Sequence, residues 1–75
     1  MFSTDHITQV LAARDRAEAL DAWREAANLV ATRWQLFLET ESDGRRFAFA
    51  SYVAALDAEE AAATEMAALA RPMAA

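Results

Sequence analysis

The sequence predicts an all-α fold: a two-helix antiparallel hairpin with a long first helix, joined by a second copy into a homodimeric four-helix bundle. Three observations lead there. Residues 4 to 71 contain one glycine, Gly44, and no proline, so a single break divides an otherwise continuous helical pattern. Apolar residues recur at spacings of three and four in both arms. The first arm also carries more apolar surface than one neighbouring helix can cover.

The first helix is expected over about 4–41. Ser3 and Thr4 suit an N-cap, and Asp5 suits the positive end of the helix dipole. Leu20, Trp23, Ala27, Val30, Trp34 and Phe37 trace one face, widened by Val10, Ala13, Ala17, Ala31 and Leu38. At a rise of 1.5 Å per residue this arm is roughly 55 Å long and the second roughly 40 Å. The excess falls at residues 4 to about 16, which either overhang and pack on a partner chain or, with a break near Arg14-Asp15-Arg16, form a third short helix. No glycine or proline marks a break near Arg14-Asp15-Arg16.

The turn is expected at 42–44, within Glu41-Ser42-Asp43-Gly44. Two readings fit it: Asp43 caps the second helix, or Gly44 supplies a left-handed residue that ends the first. The second helix is expected over about 45–70, with Pro72 as its stop. Its stripe is Phe49, Tyr52, Val53, Leu56, Ala63, Met66, Ala67 and Ala70, interrupted by Glu59 and Glu60. Beyond residue 57 the stripe is mostly alanine, which lets a helix approach a bulky neighbour such as a Trp or Phe from another helix.

The apolar surplus lies behind the first stripe. Leu29 and Leu36, one heptad apart and extended by Ala22 and Ala26, leave residues 26–38 apolar nearly all round. Phe47 lies off the stripe of the second helix. Leu29, Leu36, Phe47, Trp23, Trp34 and Phe37 are the candidate interface residues. A chain of 75 residues is near the lower limit for folding alone. Alanine supplies 21 of its 42 hydrophobic residues, so its core is small and association is the expected source of stability. The whole chain reads as a single helical-hairpin domain.

Composition narrows the function. With no cysteine and one histidine, disulfide and zinc staples are not expected. His6 reads as a surface residue or cap, and no Glu-x-x-His pair of the di-iron type is present. No base is available to activate a Ser or Thr nucleophile, and one glycine without lysine cannot build a phosphate loop. No catalysis, cofactor or metal is therefore expected. The net charge of −5 argues against phosphate-backbone binding, although Arg14, Arg16, Arg24 and Arg33 leave a nucleic-acid reading as an alternative. Another alternative is a hydrophobic ligand held among Trp23, Trp34 and Tyr52. Asp57, Glu59, Glu60 and Glu65 make the second arm acidic, a candidate docking face for a basic partner. Glu59 or Glu60 set against Arg24 or Arg33 across the bundle is a further reading of the same charges.

No secretion signal or membrane-length run is evident, so a cytoplasmic protein is expected. The alanine excess and all-arginine basic set point to a GC-rich, bacterial coding sequence. Alanine-rich hairpins of the type VII secretion family carry Trp-x-Gly in the turn and an acidic residue four places after a Tyr. This chain has Ser42-Asp43-Gly44, and Leu56 four places after Tyr52, so it is not read as one of them. The favoured function is a small noncatalytic interaction or regulatory module that pairs with itself and binds another protein through its acidic arm or apolar back face.

Overall fold

The structure, a computed structural model, describes residues 4–70. The Ser3 cap and the Pro72 stop lie outside them. Helix α1 spans Thr4–Glu39 and helix α2 spans Arg45–Ala70, joined by a short 3-10 turn at Ser42–Gly44. The two helices pack against each other as an antiparallel hairpin, with no strand among the described residues. Helix α1 is continuous through Arg14-Asp15-Arg16.

The line of contact shares Trp23, Val30, Phe37, Tyr52 and Met66 with the expected stripes and departs from them elsewhere. Along it lie Ala19, Trp23, Ala26, Val30, Arg33 and Phe37 of α1, with Thr40 just past its end, and Ala48, Tyr52, Ala55, Glu59, Ala62, Met66 and Leu69 of α2, each buried or half-buried; Leu20, Ala27, Leu56 and Ala63 beside this line are half-buried as well. Both series alternate steps of four and three without a slip. That is a 3.5-residue period, the a and d positions of a left-handed coiled coil. Only Ala19, Ala48 and Ala55 are fully buried. Alanine occupies the line of closest approach because its single methyl lets the backbones come together. Trp34, Phe49 and Val53, expected in the seam, stand on its flank and remain well exposed.

The register follows from the rings. The Trp34 ring lies 5.0 Å from that of Tyr52, and Phe37 lies 5.6 Å from Phe49. Carried along both helices at one residue per residue, this pairing sets Ala70 beside Arg16. The first three turns of α1 extend past the last described residue of α2, and there Ile7, Val10 and Leu11 are each about half exposed.

The turn uses neither expected device. None of the described residues has a positive φ, Gly44 included, and no side-chain hydrogen bond caps the 3-10 turn. Glu41 is extended (φ −73°, ψ 168°), after which the Gly44 N–H donates to the Glu41 carbonyl at 3.0 Å. Glycine is required by space instead: a Cβ at Gly44 would stand 2.8 Å from Cγ2 of Thr40. The Thr40 hydroxyl donates to the Leu36 carbonyl, which fixes that methyl in place.

The resulting object is one layer of two helices, with extents of 63 × 23 × 12 Å. It exposes 6253 Å². A compact monomer of 8.2 kDa exposes about 4,500 Å². Domains ordinarily bury apolar faces between two or more layers; here a single layer leaves two broad faces bare.

Candidate interaction surfaces

The heptad positions assign each exposed side chain to one of those faces. Because the helices run in opposite directions, like flanks lie side by side. The e and b positions of both helices make one face, the g and c positions the other, and the f positions point outward.

The first face is centred on Trp34. Leu20, Ala27 and Trp34 come from the e positions of α1, with Ala31 and Leu38 beyond them; Phe49, Leu56 and Ala63 come from α2, with Val53 and Ala67 beyond. Trp34 (41% exposed), Leu38 (53%), Phe49 (45%) and Val53 (39%) leave large apolar area open near the turn. The rings of Trp34, Phe37, Phe49 and Tyr52 pack in edge-to-face and tilted pairs, with centroids 5.0–6.4 Å apart. The Arg45 guanidinium sits 4.8 Å above the centroid of the Phe37 ring, a cation–π contact at the mouth of the cluster. Trp34 and Tyr52 of the expected ligand set meet ring to ring in this cluster.

The second face carries Leu29, Leu36 and Phe47. All three are exposed, Phe47 most of all at 78%. A shallow groove of about 540 Å³ runs beside Leu29, lined by Ala22, Glu25, Ala26, Asn28, Thr32 and Ala58. A second hollow of about 450 Å³ lies toward the free ends, lined by Asp15, Glu18, Ala19, Ala22, Glu65 and Leu69. Between residues 15 and 68 the g and c positions hold Asp15, Glu18, Glu25, Glu39 and Glu65 and no arginine. This face is therefore apolar in strips and wholly acidic in its charge.

The candidate interface residues consequently divide. Leu29, Leu36 and Phe47 belong to the acidic face and Trp34 to the other, while Trp23 and Phe37 sit half-buried in the seam between them. The acidic set of α2 divides as well. Asp57 points outward, Glu59 is half-buried in the seam, Glu60 stands at the edge of the Trp34 face, and Glu65 lies with Asp15 and Glu18 on the opposite side. At 100° per residue Glu60, Asp57 and Glu65 share an arc of about 140° on the outward side of α2, and only Glu59 turns away from it into the seam. Sequence reasoning missed Asp15, Glu18, Glu25 and Glu39 as the charges that accompany Leu29 and Leu36. Their shared heptad flank was the available signal.

The arginines form no common face. Arg14 reaches Glu18 at 3.8 Å and Arg24 reaches Asp21 at 4.0 Å, both as exposed pairs within α1. Arg33 is half-buried in the seam. No ion pair joins Arg24 or Arg33 to Glu59 or Glu60 among the described residues. Nor is any group of three His, Asp or Glu side chains there placed to hold a metal ion, and no helix is long and apolar enough to cross a membrane. Comparison with protein-family models, curated proteins and solved structures finds no match to this chain.

Proposed function

We propose that this chain is a noncatalytic interaction module that works as a homodimeric helical bundle and engages another protein through the face bearing Leu29, Leu36 and Phe47. One observation carries the reading: a single layer of two helices keeps apolar side chains open on both of its broad faces. A monomer seldom exposes contiguous apolar area on that scale unless the area is used. The surface exceeds that of a compact monomer of the same mass by about 1,700 Å². A second copy covers one face and a partner takes the other.

Charge complementarity sets the partner's chemistry. With carboxylates and no arginine on its flanks, the Leu29–Leu36 strip suits a basic amphipathic helix whose apolar ridge lies along the groove. Binding of that kind weakens as salt rises. Solution mass by light scattering, taken across a range of concentrations, tests the self-association. A mass near twice 8.2 kDa is expected, and a mass that stays at one chain throughout would refute it. The ring-to-ring packing of the aromatic cluster gives no support to an internal ligand, and the dispersed arginines give none to nucleic-acid binding.

A further inference from the structure

We infer that the second copy covers the Trp34 face, and that the two hairpins meet end for end, with their turns at opposite ends of the bundle. This rests on the self-association proposed above and adds which face is used and in which direction.

The first argument is area. A specific dimer needs about 800 Å² from each partner, and obligate dimers need more. On the Trp34 face the open side chains of Trp34, Leu38, Phe49 and Val53 supply apolar area for such a contact. On the acidic face a twofold interface would bring each chain's carboxylates against those of its copy. The Trp34 face carries its charges only at the edge, as Arg24, Arg46 and Glu60, of mixed sign.

The second argument is shape. The Trp34 face is not uniform along its length. Near the turn it is bulky, with Trp34, Leu38, Phe49 and Val53 standing proud. Toward the free ends it is lower, where Ala17, Ala63 and Ala67 leave little above the backbone and Leu20 is the one large side chain, half-buried. Two copies placed with their turns together would stack bulk on bulk at one end and hold the alanine ends apart. Rotation about a twofold axis perpendicular to the helices places the aromatic end of each chain over the alanine end of the other. Large then meets small in both halves of the interface, as dense packing requires. The paired stretch of the hairpin reaches from about residue 16 to residue 40 of α1, so this axis passes near Val30 and Leu56. Such an interface is isologous and closes as a dimer without leaving a free end.

Two measurements on the full chain test this. The sequence has no cysteine, so Ser42→Cys gives one attachment point for a spin label at each turn, clear of both faces. End-for-end packing sets the two labels roughly 35 Å or more apart, at 1.5 Å per residue from an axis near Val30. Turns at the same end would set them roughly 10–20 Å apart, and a distance in that range would overturn the arrangement. Separately, Phe49→Glu or Val53→Glu is expected to shift the mass to one chain with helicity retained, while Leu36→Glu leaves the dimer intact. A dimer broken by Leu36→Glu and untouched by both Trp34-face variants would overturn the choice of face and leave self-association standing. A wild-type chain that is monomeric at every concentration would remove both. Should either Trp34-face variant lose its helicity, the label distance in the otherwise unaltered chain still decides the arrangement.

Discussion

Arg33 and Glu59 stand at seam positions, where a coiled coil ordinarily places apolar side chains. Each is half-buried, and no ion pair among the described residues reaches either of them. A charge in that setting gives up hydration without a compensating partner. Replacing Glu59 by leucine should therefore stabilise the fold by about 1 kcal/mol, raising Tm by about 4–8 °C in a domain of this size. Gln35→Leu, at an outward position of α1, should stay within about 0.5 kcal/mol of the parent. Thermal unfolding followed by circular dichroism compares the two, and equal effects would show that Glu59 lies outside the seam. Gly44 offers a second residue-level test. Its φ is not positive, so alanine meets no backbone penalty, but the new methyl collides with Thr40 Cγ2. Gly44→Ala should cost about 1 kcal/mol, the overpacking outweighing the entropic gain. Thr40→Ser, which removes the colliding methyl, should recover most of that loss. A double-mutant cycle without such coupling would contradict the contact.

At the level of the helices, existence and approximate extent were legible because only glycine and proline end such patterns, and here they are rare. The seam was harder to read. Hydrophobic pattern weights side chains by bulk, so Trp34 and Phe49 drew the stripe toward themselves from a flank. Ala19, Ala26, Ala48, Ala55 and Ala62, which mark the line of contact, add little to such a pattern. The strict 3.5-residue period emerges only when alanine, threonine, arginine and glutamate are counted by position rather than by hydrophobicity. The same weighting hid the acidic flank, because Glu25 and Glu39 have no meaning until Leu29 and Leu36 are assigned to their side. Length showed that α1 exceeds α2 but left an overhang and a third short helix both open, and the continuous α1 decides between them. The amides of the overhang rely more on local helix propensity than on packing against α2, and short helical stretches hold weakly by propensity. Hydrogen exchange at residues 7–13 should be much faster than at residues 23–37. Equal protection would mean that another element covers the overhang.

The molecule as a whole leaves apolar side chains bare on both broad faces, and the proposed pairing of two copies would tie its stability to concentration. Unfolding temperature should rise with protein concentration over the range in which the bundle assembles, whereas an independent monomer would show none of that dependence. The turn has a related consequence. Its backbone contains no left-handed residue among those described, and the helical run is broken only over Thr40–Gly44. Drawing that short segment into helical geometry would join α1 and α2 into one rod roughly 100 Å long. Two such rods laid antiparallel could remake every seam contact, each arm finding in the other chain the alanine groove it left in its own. The tight join at Thr40 and Gly44 is thus a hinge as well as a connection. Mutations that straighten it would trade the closed hairpin for strand-exchanged pairs with the same helices and the same heptads, distinguishable only by which chain each helix belongs to.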